Sequence, residues 1–263
     1  MAISFTPLGS GSKGNSILVS NERHKFLIDC GFSYKGITEK LALVDVKPEE
    51  IEAVVITHEH TDHVKCVHTL SKMCNIPIYA TQKTLVEIDR SIGPVNGRVV
   101  DMRGFNIGGI DVLPFRIPHD AVDPVGYAFA DKNSKALYAT DLGHMTLEIK
   151  ALAKDSDLIM IESNYDETML KNGPYPVFLK RRIASDTGHL SNSSCSKAIL
   201  EIIESGPKQF ILGHLSENNN TITKAREALD NVMKKAGAEE GKDYMACIAV
   251  QHTVTATVLS KCY

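Results

Sequence analysis

No apolar run in this chain approaches the ~20 residues that a membrane-spanning helix requires, and residues 1–13 lack the basic start and long apolar stretch of a signal peptide. The expectation is a cytoplasmic protein. Charge of one sign is also lacking. A formal net charge of −3 gives no global reason to expect a nucleic-acid-coating or membrane-surface protein, although a local basic patch stays open. The six cysteines, Cys30, Cys66, Cys74, Cys195, Cys247 and Cys262, include no C-x-x-C pair, so they are read as reduced thiols, mostly buried. There is no Pro- or Gly-rich linker and no repeat of 20–50 residues. One α/β domain over residues 1–263, made of two similar halves, is therefore expected.

What is present is a globular composition, 43% hydrophobic, with short strands and helices in both halves. Strands are expected at 3–8, 16–19, 25–29, 53–56, 78–80, 110–115, 126–130, 136–140, 158–161, 209–212, 245–250 and 253–259. A hairpin loop at 21–23 joins the second and third. Helices are expected at 35–44, 64–74, 147–153, 195–204 and 221–236, with a further helix start at Pro48.

Directly after the apolar run 53–57 stands His58-Glu59-His60-Thr61-Asp62-His63. Imidazoles and carboxylates are seldom buried without partners, because an apolar interior leaves their polar atoms unsatisfied. So dense a set within one loop is a ligand set for one or two divalent cations. His119, Asp141 and His214 each follow an apolar strand closely. In layered α/β folds strand ends gather along one edge, which lets such groups converge.

These residues together resemble the metallo-β-lactamase superfamily. The resemblance implies an αββα four-layer sandwich, two mixed sheets flanked by helices, with a dinuclear site at one edge. It implies that His58, His60 and His119 hold one metal, that Asp62, His63 and His214 hold the other, and that Asp141 bridges them. Asp29 matches an early aspartate that supports a ligand histidine from behind. Nitrogen and oxygen ligands suit zinc, manganese or ferrous iron without choosing among them. The cofactor expectation is two divalent ions, zinc or manganese. Asp62 is assigned a second, catalytic role as proton acceptor. Cys30 and Cys195 are read as packing residues, since a reactive thiol needs a thiolate environment.

Three features favour phosphodiester substrates. Gly188-His189-Leu190-Ser191-Asn192 resembles the extra histidine loop of the superfamily's nucleases, where a histidine outside the metal ligands contacts the phosphate or protonates the leaving oxygen. Lys180-Arg181-Arg182 is either a phosphate anchor or a solvated charge run. Long segments from about residue 3 to 220, among them Ser10–Ser16, Pro118–Ala121, Glu162–Asp166 and His214–Asn219, resemble bacterial YycJ/WalJ-type proteins, regarded as metal-dependent exonucleases of DNA repair. His189 is taken as catalytic, and substrate contacts are placed at Ser12, Asn15, Arg181, Ser191 and Asn192. That branch usually has a small residue in place of Cys30 and often an aromatic in place of His144, here an added polar contact or a solvent-facing histidine.

Gly9-x-Gly11-x-x-Gly14 matches a dinucleotide fingerprint literally, but a strand rather than a helix is expected after it. The reading chosen is a dinuclear-metal hydrolase of phosphodiesters, acting on DNA from an end. A phosphodiesterase of small or cyclic nucleotides is the alternative, and an acyl hydrolase of thioesters, lactones or β-lactams ranks lower. A catalytically idle metal-bound scaffold is the non-enzyme alternative. DNA or a nucleotide is the expected partner, and a homodimer stays open.

Overall fold

Two seven-stranded sheets lie face to face with helices against their outer faces. The structure, a computed structural model, describes residues 2–206 and 208–260. The first sheet contains β1 (Ser4–Gly9), β2 (Ser16–Ser20), β3 (Lys25–Ile28), β4 (Val54–Val55), β5 (Ile78–Ala80) and β6 (Gly97–Val99). The second contains β7 (Phe105–Ile107), β8 (Ile110–Arg116), β9 (Val125–Ala130), β10 (Lys135–Ala139), β11 (Leu158–Glu162), β12 (Lys208–Gly213) and β13 (Tyr244–Ile248). Finally β14 (Val258–Leu259) returns to pair with β1. Helices α1 (Tyr34–Ala42), α2 (Thr61–Val64), α3 (Val67–Cys74) and α4 (Gln82–Ser91) accompany the first sheet's strands in the chain. Helices α5 (Leu147–Lys154), α6 (Glu167–Asn172), α7 (Val177–Ile183), α8 (Asn192–Ile203) and α9 (Ile222–Ala236) accompany the second.

The strands read as apolar runs because both of their faces are buried. Side chains alternate across a strand, so neighbours feed different cores. Ile17, Val19, Phe26 and Ile28 meet Tyr127, Phe129, Tyr138 and Met160 between the sheets. Leu18 and Leu27 instead face Ile37, Leu41 and Leu70 of α1 and α3. On the far side Leu137, Ile159, Ile161 and Leu212 pack on Ile149, Cys195, Ile199 and Leu229 of α5, α8 and α9. These four layers are the αββα sandwich.

Most expected elements are present, with instructive differences. The single helix expected over 64–74 is two, because Cys66 leaves the helical region with φ −114° and ψ 10°. The last expected strand narrows to Val258–Leu259. Helices α4, α6 and α7 and strands β6 and β7 had no expectation, being short or lacking a clear apolar period. The hairpin loop is held by Asn21 Oδ1, which accepts the N–H groups of Arg23 and His24 at 3.0 and 2.9 Å. A strand, β2, does follow the Gly9–Gly14 turn. Cys30, Cys66, Cys74, Cys195 and Cys247 are free thiols, the first two and Cys195 buried; Cys262 lies outside the described residues. No helix among the described residues is long and apolar enough to cross a membrane.

Strand direction gathers the functional groups. β3 and β4 run parallel, as do β10, β11 and β12, while two antiparallel steps bring β8 into line with β10. The carboxyl ends of these strands therefore share one edge of the sandwich.

Candidate metal centre

Three residues leave their strands at that edge with left-handed backbone: Asp29 (φ 60°), Asp141 (φ 57°) and His214 (φ 54°). This region is uncommon for residues with a Cβ, although Asn, Asp and His are enriched there. The bends at Asp29 and His214 are held by their own side chains' hydrogen bonds. Asp29 is fully buried, and its carboxylate accepts the Thr57 N–H (2.9 Å), the Thr57 hydroxyl (2.9 Å) and the His63 Nδ1–H (2.8 Å). The ligand loop after β4 is thereby tied to the end of β3. Gly31 completes the tie, since a Cβ there would lie 1.7 Å from the carbonyl oxygen of Asp62.

The hydrogen bonds assign the histidine tautomers. His58 Nδ1–H donates to the Thr57 hydroxyl (3.0 Å), His63 Nδ1–H to Asp29 and His119 Nδ1–H to the Gly188 carbonyl (3.2 Å). His214 Nδ1–H donates to Glu162 Oε1 at 2.7 Å. In every one of these rings Nε2 is the nitrogen left to face the site, free to ligate once any proton on it is displaced, and these atoms point together. His58 Nε2 and His60 Nδ1 are 3.0 Å apart, and His119 Nε2 lies 3.4 Å from His60 Nδ1. Tetrahedral ligands at zinc–nitrogen distances near 2.1 Å would stand roughly 3.4 Å apart, so the trio suits one cation.

A second group adjoins the first. His63 Nε2 is 3.4 Å from both Asp62 Oδ2 and Asp141 Oδ2, and His214 Nε2 is 3.8 Å from Asp62 Oδ2. Asp141 faces both groups, with its Oδ1 3.9 Å from His119 Nε2. Asp141 Oδ2 and His214 Nε2 are buried without any hydrogen-bond partner. A buried polar atom left unpaired is costly, and a cation that displaces any proton on His214 and contacts both atoms would satisfy them. The structure thus brings together His58, His60, Asp62, His63, His119, Asp141 and His214, in clusters able to hold metal.

Charges reinforce the grouping. Burial alone would lower His63 and raise Asp62, but their mutual attraction wins: the His63 imidazolium is held well above its usual range and Asp62 is held far below the carboxylate range. Burial would likewise lower His214, yet Asp141, Asp62 and Glu162 carry it up to about 10. For His58, burial and the neighbouring imidazoles act together and hold the ring neutral.

Glu162 is the residue that sequence reasoning missed. It is fully buried at the end of β11 and its Oε1 accepts both His214 Nδ1–H and His189 Nδ1–H, each at 2.7 Å. Its Oε2 accepts the N–H groups of Leu142 (3.1 Å) and Leu190 (3.0 Å). With its oxygens so occupied, Glu162 supports two histidines rather than offering a ligand atom. Its strand-end position, shared with Asp141 and His214, was the available signal. His189 is partly exposed, and its ring lies 5.3 Å from the rings of both His119 and His214.

The residues marked as substrate contacts are placed differently from one another. Asn15 is buried, clamps the Gly11 backbone through its amide, and sets its Nδ2 3.3 Å from Asp62 Oδ2 and 3.1 Å from His63 Nε2. Asn192 is also buried and exchanges two amide hydrogen bonds with Asn220, each 2.8 Å. Ser191 caps α8 through the Ser194 N–H. Ser12 and Arg181 are exposed. In the basic run Lys180 donates to the Lys171 carbonyl and Arg182 pairs with Asp120, beside His119. His144 is exposed and donates to the Asp186 carbonyl at 3.0 Å.

A family profile described as a beta-lactamase superfamily domain matches residues 24–215, which include both ligand clusters. The chain belongs to the metallo-β-lactamase superfamily. Within the superfamily it falls in the YycJ/WalJ branch. It is 33% identical over 250 residues to exodeoxyribonuclease YycJ of Bacillus anthracis, covering 93% of this chain and 94% of that protein. It is 35% identical over 246 residues to exodeoxyribonuclease WalJ of Streptococcus pneumoniae, covering 91% of each. Among solved structures, the metallo-β-lactamase fold protein YhfI of Bacillus subtilis superposes with a TM-score of 0.73 at 17% identity, over 96% of this chain and 98% of that one. That last likeness concerns the fold alone.

Proposed function

We propose that this metallo-β-lactamase superfamily member is a metal-dependent DNA exonuclease, using two divalent ions, zinc or manganese, to hydrolyse phosphodiester bonds. The observation that carries the reading is His189, which stands beside the groups His58–His60–His119 and Asp62–His63–His214 as a member of neither, held there by the buried carboxylate of Glu162. Both relatives reported above are named exodeoxyribonucleases.

Bound there, the ions would acidify a water and neutralise charge growing on the attacked phosphate. His58, His60 and His119 would hold one ion, and Asp62, His63 and His214 the other, with Asp141 facing both. Asp62 is partly exposed and ionised, and it would be the carboxylate placed to accept the proton of the attacking water once bound ions take over the attraction that His63 and His214 exert on it. Glu162 fixes Nδ1 of His189 as a donor and leaves Nε2 as the atom able to pass a proton to the leaving oxygen. No Ser or Cys nucleophile is needed. One chain supplies every candidate ligand, so the reading does not require a homodimer. The place of action is wherever DNA lies, which for the bacterial relatives is the cytoplasm.

The test is an assay panel with Mn²⁺ and Zn²⁺ on end-labelled single- and double-stranded DNA, RNA, cyclic nucleotides and an acyl ester. Progressive loss of end label from DNA is expected. Turnover confined to cyclic nucleotides, or to the acyl substrate, would sink the exonuclease reading.

A further inference from the structure

Two sulfur atoms meet behind the ligand loop. Cys30 Sγ and Cys66 Sγ are 2.7 Å apart, although the residues are 36 positions apart in the chain, and both side chains are buried. A thiol is a weak donor and a weak acceptor, and neither sulfur has another hydrogen-bond partner among the described residues. General core packing accounts for a buried cysteine such as Cys195, surrounded by apolar side chains. It does not account for a thiol facing a thiol.

The backbones of the pair are already joined. Cys30 N–H donates to the His63 carbonyl at 2.7 Å, and Cys66 N–H donates to the Cys30 carbonyl at 3.1 Å. A disulfide needs its sulfurs about 2.05 Å apart, so the two sulfurs, at 2.7 Å, need only a short further approach. Cys66 breaks the chain between α2 and α3, and α2 has four residues and no side-chain cap. Both thiols are buried, so oxidation requires this junction to open far enough for a reagent the size of a peroxide.

We propose that Cys30 and Cys66 are an oxidation site, closing to an intramolecular disulfide that staples the end of β3 to the α2–α3 junction. With hydrogen peroxide, one thiol sulfur attacks the O–O bond, giving a sulfenic acid and one water. The second thiol then displaces hydroxide from that sulfur, forming the S–S bond and releasing a second water. Two thiols are oxidised by two electrons in total, and the peroxide takes up those electrons and both thiol protons. The staple flanks the metal centre, since Asp29 and Gly31 lie on either side of Cys30 and hold His63 and the Asp62 backbone in place. The inference does not depend on what the protein hydrolyses.

The experiment exposes the full chain to hydrogen peroxide, both metal-loaded and after chelation, then quenches, unfolds, alkylates free thiols and maps the peptides. The expected product joins the Cys30 and Cys66 peptides, leaves those two residues without alkyl label, and reverts with a reductant. Its thermal midpoint should rise by several degrees over the reduced protein, and Cys66→Ser, or Cys66→Ala if that variant fails to fold, should lack the cross-link. Full alkylation of both residues in both forms overturns the proposal. So does a cross-link to any other cysteine, or a linked protein whose midpoint does not rise.

Discussion

Glu162 Oε1 receives the Nδ1–H of His189 at 2.7 Å. The same oxygen receives Nδ1–H of His214 at 2.7 Å, so one carboxylate orients a candidate metal ligand and a candidate proton donor together. Removing either partner should therefore have different consequences. We expect His189→Ala to lower phosphodiester turnover by about 10²–10⁴-fold, the scale of general acid catalysis, with metal content retained. Glu162→Gln should lower both turnover and metal affinity, the latter by about 10–100-fold, because it disturbs a ligand's support. Steady-state kinetics beside elemental analysis check both. His189→Ala with unchanged turnover would remove its role.

Metal loading should release protons. In the metal-free protein His214 sits at about 10 and His63 is held well above its ordinary range, so near neutral pH both rings are protonated. A cation must displace those protons. Affinity is expected to rise with pH until His214 deprotonates near 10, and calorimetry in buffers of different ionisation heat should detect the release. The stability of the metal-free form runs the opposite way. A raised histidine contributes fully below its unfolded value of roughly 6.5, and that contribution is lost as pH climbs toward 10. Uptake without proton release would contradict the assigned protonation.

Gly31→Ala should be strongly destabilising. Its new Cβ would fall 1.7 Å from the Asp62 carbonyl oxygen, a backbone atom that cannot rotate away. We expect a loss of about 3 kcal/mol, the scale of core overpacking, seen as a thermal midpoint lower by roughly 6–12 °C. A control in the β7–β8 turn, Gly109→Ala, meets nothing within 4 Å, although its φ of 85° adds backbone strain of its own. Equal midpoints for the two variants would refute the close crossing.

Burial pushes the Cys195 thiol from 9.0 up to about 12. The folded chain then binds a proton that the unfolded chain releases, so stability falls as pH rises between about 9 and 12. The slope is at most about 1.4 kcal/mol per pH unit for this group. Compared with wild type, Cys195→Ala should start less stable from its cavity but lose stability less steeply over that window. Parallel pH profiles would show that Cys195 does not titrate as described.

The ligand loop was legible because its spacing is local: Asp62 and His63 follow His58 and His60 within one turn of chain. His119, Asp141 and His214 were legible from a repeated position after apolar strands, which parallel pairing converts into a common edge. The role of Glu162 was not, since its partners stand 27 and 52 positions away and no spacing rule links them. Asn15 and Asn192 were marked for substrate, yet the direction of an amide side chain is set by tertiary neighbours, here Gly11, Asp62, Ser163 and Asn220. The break at Cys66 is equally non-local, arising where the loop meets the Cys30 carbonyl. Helix α7 packs Ile183 and partly buries Leu179 but exposes Val177 and Phe178, too weak a stripe for a helix to be expected there.

The last strand lies beside the first. Thr6 and Thr257 touch hydroxyl to hydroxyl at 2.7 Å across 251 positions of sequence. A chain leaving the ribosome therefore holds one margin of its opening sheet bare until β14 has been synthesised. A bare strand margin is a template for any extended segment that drifts past, and joins of this span are slow to close. Products that stop short of β14 should thus be the adhesive species in a cell translating this message, and chains that carry it the quiet ones.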